Sequence, residues 1–274
     1  MKQIHSLFIW AYFITIKGIF LSSCVPGNII PDPYIVNEDR QKENFYYTPA
    51  TPNTPLLSEI NDLNFNLMYS SLESEVKGAE IQAAYLPWKH VGISCDFSFF
   101  NSKNSGSANS KFNRFELASG YVTKFSRGGL FETYAGLGSG KFTNYHYTGS
   151  SRINLTHFFI QPAIGYINDR KTIQVAFSSR MTAVNFSVKD TLFNTEREPF
   201  SAAQLNSLYD KPFHLMWEPG LIFRFGWETF MFHTSLTFSS DLTNPDLHRT
   251  KTNLALGGYL RFNIKGNGTI QMKQ

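Results

Sequence analysis

The sequence predicts an all-β fold, an antiparallel up-and-down barrel of about ten strands with a filled lumen, and three observations carry it. Apolar residues alternate with polar ones in segment after segment from residue 61 onward. The links between segments are tight and long in turn. The polar positions carry ionisable side chains of both signs, which suits an enclosed face.

The clearest unit is Asn154 to Phe186, two strands joined by Asn168-Asp169-Arg170-Lys171. Phe158, Ile160, Pro162, Ile164 and Tyr166 share one face of the first strand, with His157, Phe159, Gln161, Ala163 and Gly165 on the other. In the second strand Ile173, Val175, Phe177, Met181 and Ala183 alternate with Gln174, Ser178, Arg180 and Thr182.

The same pattern recurs along the chain. Before this hairpin the apolar rows are Leu63 to Tyr69, Ala79 to Tyr85, Val91 to Phe99, Phe115 to Phe125 and Phe131 to Leu137. After it they are Leu215 to Phe225, Phe230 to Phe238 and Leu254 to Ile264. An even strand count returns both barrel ends to one side, as in bacterial single-chain barrels.

Pro87 to His90, Ser126 to Gly129, Asn168 to Lys171 and Gly226-Trp227 are tight links. Asn101 to Lys111, Thr143 to Ile153, Val188 to Pro212 and Asp241 to Thr250 are expected to be longer loops, joined on their side by Glu73 to Lys77. Short turns on the periplasmic side and long loops outside are the layout of outer-membrane barrels. The N-terminus is expected on the short-turn side.

With the apolar rows facing lipid, the lumen is lined by Glu80, Gln82, Asp96, Arg114, Glu116, Lys124, Glu132, Arg180, Glu218, Arg224 and Arg261. His157, His233 and the small residues Gly136, Gly138, Gly220 and Gly257 join them. Five carboxylates against five cations predict a neutral lining. A barrel of this size is only slightly wider than the eight-stranded kind, so the charges are expected to pair and plug it.

A soluble barrel or sandwich, with the same apolar rows turned inward, is the alternative that alternation alone leaves open. The loop asymmetry, an export signal and the sparse charge on the polar faces favour the membrane. Charged residues are 17% and aromatic residues 16%, led by 26 Phe and 13 Tyr. Trp88, Trp217, Trp227, Tyr69, Tyr121, Tyr166 and Phe262 are candidates for interfacial girdles. A scattered formal charge of +4 excludes a nucleic-acid interface.

At the N-terminus Lys2 and His5 precede an apolar run, Leu7 to Ile16, too short to span a bilayer. Residues 1–23 therefore read as a signal peptide. Leu21-Ser22-Ser23-Cys24 resembles a lipobox, with Cys24 as the lipidation site. Residues 24–60 form an extended linker with six prolines after the cysteine, where few ladder donors remain and where Phe45-Tyr46-Tyr47 is the candidate contact to the body, and 61–274 form the barrel. The other cysteine, Cys95, sits on an apolar row and reads as a small hydrophobe.

Motifs for chemistry are weak. Gly136-Leu137-Gly138-Ser139-Gly140-Lys141 lacks the first glycine, the Ser/Thr after the lysine and the following helix of a phosphate loop. No histidine pair has metal spacing, so no metal or other cofactor is expected. Tyr145-His146-Tyr147 reads as loop. Asp241, Asp246 and His248 are, by loop position alone, the candidates for a rim hydrolase. Asp190-Thr191-Leu192 resembles a short O-glycosylation acceptor used by Bacteroidota.

Taken with Thr51-Pro52-Asn53-Thr54-Pro55-Leu56-Leu57, Glu80-Ile81-Gln82-Ala83-Ala84-Tyr85 and Phe159-Ile160-Gln161-Pro162-Ala163-Ile164-Gly165, the chain resembles the outer-membrane β-barrel proteins, often lipoproteins, of Bacteroidota. That resemblance implies a fold and an outer-membrane address, and no catalytic residue. The expected role is a non-enzymatic scaffold or partner subunit with outer-membrane lipid and an outer-membrane protein as neighbours. Passage of a small solute or ion, or surface hydrolysis, are the alternatives.

Overall fold

A computed structural model of the chain describes residues 44–72, 76–103, 109–264 and 270–272. The expected signal peptide and Cys24 lie outside the described residues. The elements in order are β1 (Asp62–Leu72), β2 (Val76–Trp88), β3 (Val91–Lys103), β4 (Asn109–Lys124), β5 (Gly129–His146), β6 (Gly149–Ile167) and β7 (Ile173–Leu192). After them come helix α1 (Pro199–Asp210), β8 (Phe213–Gly226), β9 (Phe230–Phe238), β10 (Ser240–Asp241), β11 (Thr252–Ile264) and β12 (Ile270–Met272).

Consecutive long strands pair antiparallel, and β1 pairs β11 from Asp62↔Asn263 to Ser71↔Leu254, which closes a barrel of 10 strands. Closure leaves the wall without a free edge. The short strands are additions: β10 pairs Trp217 and Met216 of β8, and β12 pairs Phe262 to Ile264 of β11.

The apolar rows face out. On β6, Phe158 is 45% and Ile160 46% exposed, while His157 is 5% and Gln161 1%. Exposed Leu67, Phe97, Leu117, Leu137, Phe177 and Leu221 continue this belt around the wall. So wide an apolar surface is stable against hydrocarbon and a liability in water, which decides between the two orientations that alternation allowed. Trp88, Tyr121, Tyr166 and Trp227 are exposed near the tight turns, with Tyr69 and Trp217 toward the other rim.

Strands β5, β6 and β7 run 18, 19 and 20 residues, well beyond the roughly 9–11 that cross a bilayer, and extend past the belt at the long-loop end. This corrects one expectation. Thr143 to Ile153 is not a long loop; the ladder continues to His146↔Gly149 around a turn at Tyr147-Thr148. The alternation never stops there, since Phe142, Asn144 and His146 point inward. A second correction concerns Val188 to Pro212. That stretch contains α1, which starts on a proline whose missing N–H costs nothing in a first turn and buries Leu205 and Leu208.

The largest departure is inside the barrel. Residues 44–57, expected as part of the linker, run through the lumen: Tyr46, Thr54, Leu56 and Leu57 are each 0% exposed. Phe45, Tyr46 and Tyr47 join an apolar cluster with Phe100, Phe112 and Phe142 at the long-loop end. Leu56 and Leu57 join Leu86, Leu130 and Ile222 at the short-turn end. Polar side chains fill the space between. With prolines at 49, 52 and 55 this segment lacks the donors to add a strand to the wall, so it packs where side chains can serve its backbone.

Candidate functional site in the barrel lumen

Inward-facing side chains bind the backbone of the lumen segment almost residue by residue. Carbonyl oxygens accept from Asn144 at Phe45 (3.2 Å), Arg114 at Thr48 (3.1 Å), Asn253 at Pro49 (3.3 Å) and Gln82 at Thr51 (2.9 Å). Farther along they accept from Gln161 at Asn53 (2.9 Å), Arg224 at Thr54 (2.8 Å) and both Asn64 (2.6 Å) and Tyr259 (3.1 Å) at Pro55. These contacts replace the ladder that the prolines forbid.

The amides use carboxylates. Thr51 donates its N–H to Glu80 at 3.3 Å and its hydroxyl to the same carboxylate, which also accepts from Ser70 and Asn253. Leu56 donates its N–H to Glu132 at 3.1 Å. Among the described residues neither Glu80 nor Glu132 is in an ion pair, so these two acids hold the segment and not one another.

A separate ionic cluster braces the wall. Glu116 takes both guanidinium nitrogens of Arg180 (2.7 and 2.9 Å), Arg114 at 3.2 Å and His157 at 2.8 Å. Arg180 also meets Glu218 at 3.4 Å and lies 3.8 Å from the centre of the Phe159 ring. Tyr47 of the lumen segment donates to Glu218 at 3.0 Å, which ties cluster and segment together. At the short-turn mouth Arg261 pairs with Asp62.

Every charged residue expected to line the lumen is buried there, namely Glu80, Asp96, Arg114, Glu116, Glu132, Arg180, Glu218, Arg224 and Arg261, except Lys124. Lys124 is exposed because it ends β4 at the short-turn rim, beyond the enclosed part. The expected neutral balance fails with it. Of the residues expected in the lining, five carboxylates and four arginines remain among the described residues, and Glu80 and Glu132 meet backbone N–H, hydroxyl and amide donors. A cavity of about 10 Å³ beside Asn53, Asp96 and Gln161 is room for roughly one water.

Two glycines make these contacts possible. A Cβ on Gly220 would sit 2.5 Å from Cγ of Pro52, and one on Gly138 would sit 2.3 Å from the His157 nitrogen that reaches Glu116. Gly138 and its neighbours occupy the middle of β5, so this glycine run is a wall strand and no phosphate loop.

The rim candidates are not brought together. Asp241 pairs with His214 at 2.6 Å and accepts from the backbone of Thr243 (2.9 Å) and Asn244 (3.0 Å), which pins the loop that follows β10. His248 bonds the carbonyl of Asn44 at 2.7 Å and stacks on Phe45, while Asp246 is exposed. His146 is a buried strand residue bonded to Asn44 and Ser151, not a loop contact. Asp190 pairs with Arg152 at 3.3 Å. Cys95 is a free, partly exposed thiol, and no metal-binding group of side chains occurs among the described residues.

Sequence reasoning reached Tyr47 as a contact to the body and missed the other partners on the lumen segment: Thr48, Thr51, Asn53, Thr54, Pro55 and Leu56. Their signal was the spacing of Pro49, Pro52 and Pro55, three residues apart as in an extended proline-type helix, beside a barrel lining with more hydrogen-bonding groups than it could satisfy alone.

Fold and lumen together define a closed transmembrane-type β-barrel plugged by its own N-terminal segment. No protein-family model matches the chain, and no curated protein matches its sequence. Among solved structures it is similar to the N-terminal β-barrel domain of Pseudomonas aeruginosa OprF, at 14% identity and TM-score 0.35 over 75% of this chain and 100% of that one. It is also similar to the translocator domain of autotransporter NalP from Neisseria meningitidis (12% identity, TM-score 0.39, 73% and 86% covered). An outer membrane channel from Pseudomonas putida F1 matches at 9% identity and TM-score 0.39, with 78% and 100% covered. At these values the barrel rests on the chain's own strand pairing.

Proposed function

We propose that this chain is a bacterial outer-membrane β-barrel lipoprotein, anchored through Cys24, that acts as a non-enzymatic scaffold or partner subunit. The supporting observation is a lumen occupied from mouth to mouth by residues 44–57, held by wall side chains at seven backbone carbonyls. A barrel built to pass solute keeps its axis open; this one commits its inward polar groups to its own backbone. The long-loop end, with α1 and residues 242–251, is then the surface offered to an outer-membrane partner. The resemblance carried by Leu21-Ser22-Ser23-Cys24 and Thr51 to Leu57 supports an origin in Bacteroidota.

Reconstitution of the purified full chain in planar bilayers tests this. The expected record has no channel steps above the bare bilayer; regular steps from the unaltered protein would replace the scaffold reading with solute passage. Palmitate labelling that disappears on Cys24→Ala, together with heat-modifiable gel mobility of an outer-membrane fraction, tests the anchor and the address.

A further inference from the structure

The polypeptide inside the barrel has a direction. Asn44 sits at the long-loop end, where its side chain meets His146 at the end of β5 (3.1 Å) and Ser110 at the start of β4 (3.1 Å). Just beyond it, Tyr46 N–H donates to the His248 carbonyl and Thr250 N–H to the Tyr47 carbonyl, both at 3.1 Å. At the other end Ser58 accepts from Arg261, and Glu59 meets Lys171 (3.0 Å) in the tight turn between β6 and β7. Fully extended, the chain from Asn44 to Ser58 would reach about 43 Å at about 3.1 Å per residue, enough to cross the roughly 30 Å of hydrocarbon.

We infer that the chain enters the lumen through the long-loop mouth, so that Asn44 stands across the membrane from the tight turns. The start of β1 lies on the short-turn side as expected, and residues 44–57 carry the chain through the lumen from the other mouth. With the tight turns in the periplasm, an orientation that belongs to the proposed function, this mouth opens on the cell surface.

Single-cysteine reporters in a Cys95→Ser background test the inference with a membrane-impermeant biotin maleimide on intact cells. The reporters are Lys42→Cys before the lumen segment, Glu196→Cys in the exposed link before α1 and Arg170→Cys in an exposed tight turn; the parent without a reporter sets the background. Lys42→Cys and Glu196→Cys are expected to label equally in intact cells, and Arg170→Cys only after the outer membrane is permeabilised. Labelling of Lys42→Cys only after permeabilisation, while Glu196→Cys labels in intact cells, overturns entry through the long-loop mouth. Labelling of Arg170→Cys in intact cells with Glu196→Cys silent overturns instead the orientation on which surface display rests.

Discussion

Thr51 and Glu80 bond twice, through the backbone N–H and the hydroxyl of the threonine to one buried carboxylate of the wall. This pair joins a proline-rich stretch with no ladder of its own to a strand that is fully hydrogen-bonded. Glu80→Ala removes the acceptor for Thr51, Ser70 and Asn253 together. Leaving buried donors unmade costs about 1–3 kcal/mol each, so this substitution is expected to lower the urea midpoint of the detergent-folded barrel. It is also expected to admit protease to residues 44–57, read by mass spectrometry of the digest.

Glu116 is the shared acceptor of Arg114, His157 and Arg180. Glu116→Gln leaves two guanidinium groups in the interior with less than their counter-charge, a loss of about 3–5 kcal/mol. Glu116→Gln with Arg180→Met should recover part of that loss, measured as unfolding midpoints of the single and double variants.

Gly220 faces Pro52 with no space for a side chain. Gly220→Leu overpacks the lumen, at about 1–3 kcal/mol, and is expected to free the segment while the wall stays paired. Far-ultraviolet circular dichroism should be unchanged as protease access to residues 44–57 rises. Retained protection would show that the segment is held independently of this contact.

Removal of residues 44–57 strips the lumen of its occupant and leaves the carbonyl-binding side chains facing water. Such a barrel is expected to conduct in planar bilayers where the full chain does not, with the Glu80 and Glu132 carboxylates favouring cations. Anion preference in the truncated barrel would count against the excess of acids in the lining.

Lys171 bridges Glu59 and Glu228 at 3.0 Å each, outside the membrane-spanning strands. Burial by itself would lower its pKa, and the two carboxylate hydrogen bonds more than offset this, so the ammonium titrates above the usual lysine range. Its contribution is therefore complete below the unfolded lysine pKa and fades as pH rises through the raised one. Partly exposed, the bridge is worth about 0.5–1 kcal/mol. Lys171→Met should be less stable than the parent by that much at pH 8 and should match it at strongly alkaline pH, in paired urea titrations.

By itself the sequence determined the faces. Side chains in a strand alternate strictly, so Phe158 and Ile160 on one side of β6 and His157 and Gln161 on the other are set by spacing of two, as are Val175 and Arg180 on β7. The even strand count and the tight turns followed from the same period. The period says nothing about a stretch without one. Residues 44–57 carry prolines in place of ladder donors, and only the closed cylinder, with Gln82, Gln161 and Arg224 turned inward and unable to satisfy one another, offered a place where that backbone could be buried. Lys124 and α1 were decided the same way, by how far the tertiary enclosure reaches along a strand or over a mouth, a length that no local pattern encodes.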